Sequence, residues 1–168
     1  MVPVAGTRLY HRSVNYELFM GEALAEAQLA LDDGEPPCAA VAVVDEAMVA
    51  RARDRVRETG DPTAHAVVAA VREAARRLGR DRLADVTIFT TLEPCAMCVG
   101  ALLQADIETL VFAAPDPDNG AAGGAIQLAQ SAQLPRRLRV VSGIRRDEVE
   151  ELRRRAAARG APARARAS

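Results

Sequence analysis

The chain has 168 residues, a formal net charge of −1 and 49% apolar residues, with 3% aromatic residues and no tryptophan. That is enough for one domain with a core of Ala, Val, Leu and Ile, and the near-neutral balance demands no nucleic-acid or membrane partner at the level of the whole chain. No apolar run reaches the length of a transmembrane helix. The stretch "MVPVAGTRLYHRSVNY" has no apolar signal-peptide core, so the expected location is the cytoplasm. An odd count of three cysteines argues against a disulfide framework.

Residues 1–13 read as a loose lead-in to a domain over 14–158. Apolar residues at helical spacing predict a helix over 14–32, with Ser13 or Asn15 as cap and Gly34 past its end. The run "CAAVAVV" (38–44) reads as a buried strand, with 47–52 returning as a hairpin partner, and 53–60 as a polar loop. A second helix is expected to start at Asp61, a good cap, with Pro62 in its first position and Gly79 past its end. The β-branched run 85–91 predicts a strand. A helix opens at Cys95 behind Pro94 and runs to Gln104. A strand (107–114), a turn-rich loop (115–124), a short helix (125–132), a strand (138–144) and a last helix follow. The tail 159–168 reads as disordered. Helices alternating with strands predict an α/β layered domain. The last three strands, joined through helices, should run parallel with right-handed crossovers.

Chemistry concentrates in "DPTAHA" (61–66) and "TLEPCAMC" (91–98). Cys95 and Cys98, three apart on a helix, present two sulfurs on one face. At a helix start the dipole favours the thiolate, which is the form that binds zinc. His65 stands at another helix start. Three N/S ligands with a fourth position open to water describe a catalytic zinc site. Taken singly, such a histidine is usually an exposed polar residue, and such a Cys pair is often just buried.

With those residues set out, the chain resembles the cytidine/deoxycytidylate deaminase superfamily, and within it the bacterial tRNA adenosine deaminases. "GDPTAHA", "TLEPCAMCVGAL" and "VFAAPDPDNGAAGG" carry the resemblance, which covers about residues 15–155. It implies a three-layer α/β/α sandwich with a five-stranded mixed sheet, zinc on two helix N-termini, and a homodimer. In the tRNA enzymes both subunits help to bind the anticodon loop, and adenosine at the wobble position becomes inosine. The implied reaction is hydrolytic: a water activated by zinc displaces the amino group of the base, and a glutamate two residues after the histidine moves the protons.

In this chain that position holds Val67, which neither accepts nor donates a proton. Three explanations stand side by side: a replacement introduced to trap a ligand, a natural loss in a non-catalytic zinc protein, or takeover by another acid. Two more departures surround the same pocket. Asp54 stands where the family usually has an Asn that contacts the nucleoside, and "PCAA" (37–40) replaces a Val-Gly-Ala run. The eukaryotic wobble deaminase offers a parallel, since its non-catalytic subunit carries valine at this position and needs an active partner.

Asp54 and Glu93 are the candidate substitute acids. Glu93 reads better as support for the turn, and Asp54 as an ordinary solvated loop aspartate. Asp54, Ala66, Pro94 and Cys38 are candidates for the substrate pocket. As a fourth ligand, Cys38 would close the zinc site and make it structural; as a small strand residue it would simply be buried. The arginine-rich runs at 51–57 and 153–168 read as solvated faces before RNA contacts. The readings that follow are a crippled deaminase acting as nucleoside or RNA binder or as partner subunit, an active hydrolase on a nucleobase or small amidine, and a structural zinc protein.

Overall fold

The computed structural model describes residues 15–160. The lead-in, the alternative cap Ser13 and the tail beyond Gly160 lie outside them. Asn15 opens helix α1 (Tyr16–Asp32), its side chain accepting the Leu18 N–H at 3.0 Å. Strands β1 (Ala39–Val44) and β2 (Ala47–Arg53) form the expected hairpin. Its two-residue tip, Asp45 and Glu46, is left-handed at both positions, the geometry that matches strand twist.

The polar loop 53–60 contains one helical turn, α2 (Val56–Thr59). Helix α3 spans Ala66–Leu78 and ends at a left-handed Gly79, as expected. Its start is a correction: Asp61 is not its cap and Pro62 is not in its first turn. The Asp61 carboxylate is spent locally, accepting from the Thr63 N–H and hydroxyl at 2.8 and 2.7 Å. Pro62, Thr63 and Ala64 follow before His65 takes the cap position.

Strand β3 (Thr87–Leu92) leads to α4 (Ala96–Gln104), with Cys95 as cap residue. Strands β4 (Thr109–Ala114) and β5 (Arg139–Ser142) and helix α5 (Arg146–Ala158) complete the chain. The helix expected over 125–132 is absent. Its backbone groups are used elsewhere: the Ala125 and Ile126 N–H groups reach the Gly120 carbonyl, and those of Leu128 and Ala129 reach Ala121.

The strands form one mixed sheet in the order β2-β1-β3-β4-β5. β1 is antiparallel to both neighbours, and β3, β4 and β5 are parallel. Strand alternation divides the core. Ala40, Ala42, Ile88, Leu110 and Phe112 meet Ala66, Val67, Ala70, Cys98 and Leu102 of α3 and α4. Val41, Val43, Phe89 and Val111 meet Phe19, Met20, Ala23 and Val149 of α1 and α5. This is the three-layer α/β/α sandwich. Because β1 runs against β2 and β3, its start, the ends of β2 and β3, and the end of β4 share one edge of the sheet. The starts of α3 and α4 lie on one sheet face at that edge, so two distant segments meet there.

Candidate metal centre

The centre is built on two cap residues. His65 and Cys95 both have extended backbone immediately before a helix, and Cys98 is the third residue of α4. The His65 Nδ1 lies 3.6 Å from the Cys95 sulfur and 3.5 Å from the Cys98 sulfur. The three donor atoms fall within 4.8 Å of one another, and they are the group of this kind found among the described residues. Zinc bonds of about 2.3 Å to sulfur and about 2.0–2.1 Å to nitrogen, at a tetrahedral angle, put such donors about 3.6 Å apart. The donor set and the spacing both fit zinc. His65 and Cys95 are partly exposed while Cys98 is buried, so the centre is open on one side. The facing nitrogen is Nδ1, a detail that spacing alone did not reveal.

The other candidates fall in four distinct places. Val67, the second residue of α3, has no exposed surface and lies in the apolar cluster with Cys98. Ala66 is equally buried there, and its N–H is used by Asp54. Asp54 is not a solvated loop residue: it is 0% exposed, and its Oδ1 accepts the Ala66 N–H at 2.7 Å. It does the capping work that the sequence suggested for Asp61, from twelve residues upstream. Cys38 is buried with Phe19, Val41 and Phe89 on the other side of the sheet and is not part of the group that could hold a metal ion. Its carbonyl accepts the Asp54 N–H at 2.9 Å.

Glu93 is a clamp. Its Oε2 accepts the Asp116 N–H at 2.9 Å, and its Oε1 accepts those of Ala122 and Gly124, each at 2.8 Å. The carbonyl of the buried Pro94 accepts the Ala121 N–H, and Cys95 pairs with Gly120 in a short bridge. The loop after β4 is thereby stapled onto the turn that carries the cysteines. Gly120 and Gly124 are required, since a Cβ at either would overlap the Glu93 carboxylate and the Asp116 carbonyl. The "NGAAGG" run was the available signal for this packing.

The sequence profile of the cytidine and deoxycytidylate deaminase zinc-binding region matches residues 13–114. The chain belongs to this deaminase family. A tRNA-specific adenosine deaminase of Bacillus subtilis is 41% identical over 133 residues, 79% of this chain and 82% of that protein. The chloroplastic tRNA(adenine(34)) deaminase of Arabidopsis thaliana is 49% identical over 112 residues, 67% of this chain but only 9% of that much longer protein. Among solved structures, one from a study of A-to-I editing by tRNA:A34 deaminases at the wobble position superposes with a TM-score of 0.78 at 38% identity. It covers 80% of this chain and 98% of its own. No helix among the described residues of this deaminase-family chain is long and apolar enough to cross a membrane.

Proposed function

We propose that this chain is a zinc-holding protein of the tRNA adenosine deaminase branch whose ordinary deamination is impaired or absent. One observation carries the reading: the residue two past the candidate metal ligand His65 is Val67, a fully buried aliphatic side chain. When bound to His65, Cys95 and Cys98, zinc supplies the Lewis acidity that makes a water nucleophilic near neutral pH. Deamination then needs a side chain that moves protons between water, ring nitrogen and leaving amine. Val67 performs none of these transfers. Glu93 is committed to three backbone N–H groups, and its role is to hold the loop. What remains is a metal centre able to bind a nucleobase, a nucleoside or an anticodon loop. The chain would serve as a binding subunit, paired with itself or with an active paralogue.

The test compares the zinc-loaded parent with Val67→Glu on adenosine, cytidine, guanine and tRNA. The expected outcome is a rate gain of about 10²–10⁴-fold for Val67→Glu over a parent near background. Zinc content and thermal midpoint establish that the variant is folded and loaded, because the new carboxylate enters a position with no exposed surface. Robust turnover by the parent overturns the reading. A second reading is favoured in that event by the burial of Asp54 beside the start of α3: Asp54 is the proton carrier of an active hydrolase, and Asp54→Ala abolishes the parent's turnover.

A further inference from the structure

Glu35 lies in the turn between α1 and β1 and is 2% exposed. Its Oε1 accepts the Glu58 N–H at 2.8 Å. Its Oε2 is buried with no hydrogen-bond partner among the described residues. A buried carboxyl group held by a single N–H is costly to keep, and the other attraction on it is electrostatic, from the Arg55 guanidinium of the same 54–65 segment. Where that one bond lands supplies a reason. Glu58 is in α2, near the middle of the segment that runs from Asp54 to His65.

This segment closes on itself at its ends. The Asp54 N–H reaches the Cys38 carbonyl, the Arg55 N–H reaches the Ala64 carbonyl at 3.1 Å, and the Ala66 N–H reaches Asp54. His65 is therefore the last residue of a closed excursion. At its far end the Glu35 carboxylate holds α2, and the Arg57 guanidinium touches the Gly34 carbonyl at 3.5 Å.

We propose that Glu35 is a positioning residue for the metal centre. It ties the 54–65 excursion to the α1–β1 turn and so sets the His65 ring at the distance from Cys95 and Cys98 that zinc requires. The proposal rests on the three-ligand centre and not on the loss of catalysis at Val67, so a metal readout tests it whether or not the protein turns over.

The experiment measures zinc affinity of the full chain by chelator competition, and the visible spectrum of the cobalt-substituted protein. Glu35→Ala should weaken zinc about tenfold, as loss of residues that orient metal ligands does, and should shift the cobalt bands. Glu35→Gln, which keeps an acceptor for the Glu58 N–H, should restore most of the affinity. Glu58→Pro deletes the donor and leaves Glu35 in place; it should reproduce the Glu35→Ala effect, while Glu58→Ala, which keeps the N–H, should not. The Glu58 pair gives the answer should Glu35→Ala fail to fold. Zinc affinity and cobalt spectrum unchanged in Glu35→Ala or in Glu58→Pro, whatever happens to the melting temperature, would overturn the proposal. So would a Glu35→Gln defect as large as that of Ala.

Discussion

At Gly124 there is no room for a methyl group, because Glu93 and the Asp116 carbonyl already fill the space. Gly124→Ala must displace the loop that covers the cysteine turn, and overpacking of this kind costs about 1–3 kcal/mol. Gly100, inside α4 with open space around its Cα, is the contrast: Ala there should gain about 0.5–1 kcal/mol. Denaturant midpoints of the two variants should move in opposite directions. Residues that act through local spacing were readable without coordinates. Cys95 and Cys98 stand three apart, and His65 belongs to a recognisable helix-start segment. Residues that act across the chain were not. Asp54 looked like one more charge among arginines because its partner, the Ala66 N–H, comes near only when β2 ends beside the start of α3. Glu93 was read as turn support, but its three partners lie in a loop beyond the next strand. Glu35 was missed altogether; an acid wedged between Gly34 and a Pro-Pro pair was its only signal.

Helix α3 shows why element boundaries were harder to read than elements. Asp61 and Pro62 form a strong start signal, yet the helix begins five residues later, because Asp61 closes its own turn on Thr63 and Asp54 arrives to cap instead. Those Thr63 bonds also hold Asp61 below the usual carboxylate range. The parallel pairing of β4 and β5 was expected through an intervening helix; the pairing is present, but an irregular crossover makes it. On the exposed face of α3, Glu73 accepts from Arg76 and Arg77, one turn ahead. These bonds, Arg76 first, lower its pKa from 4.5 to about 2. The folded-state value lies below the unfolded one, so the contribution is complete above pH 4.5 and fades as pH falls toward 2. Glu73→Gln should therefore lower the thermal midpoint slightly at neutral pH. The gap between variant and parent should narrow below pH 4.5 and vanish below pH 2. A gap that persists unchanged at pH 1.5 would mean that the carboxylate's charge is not its source.

For the molecule as a whole, the sandwich was legible because alternating elements with buried strands leave few other architectures. The sheet order depends on pairing between distant strands, which local pattern does not encode. Zinc held by His65, Cys95 and Cys98 would join the starts of α3 and α4, two elements that also share one apolar layer. Zinc held at three ligands that only folding brings together would bind the folded chain in preference to the unfolded one, so its removal by a chelator should lower the melting midpoint. At a thousandfold excess over Kd the metal contributes about 4 kcal/mol, on the order of 10 °C for a domain of this size. Calorimetry with and without the chelator, followed by zinc repletion, measures it; an unchanged midpoint would mean that the ligands do not hold metal. The Glu93 clamp has a consequence of timing as well. Glu93 and Gly124 are 31 residues apart, and at about 5–20 residues per second roughly two to six seconds of translation separate them. On the ribosome, the two thiols are therefore made before the loop that secures their turn, and the cysteine turn must wait for that loop before Glu93 can clamp it.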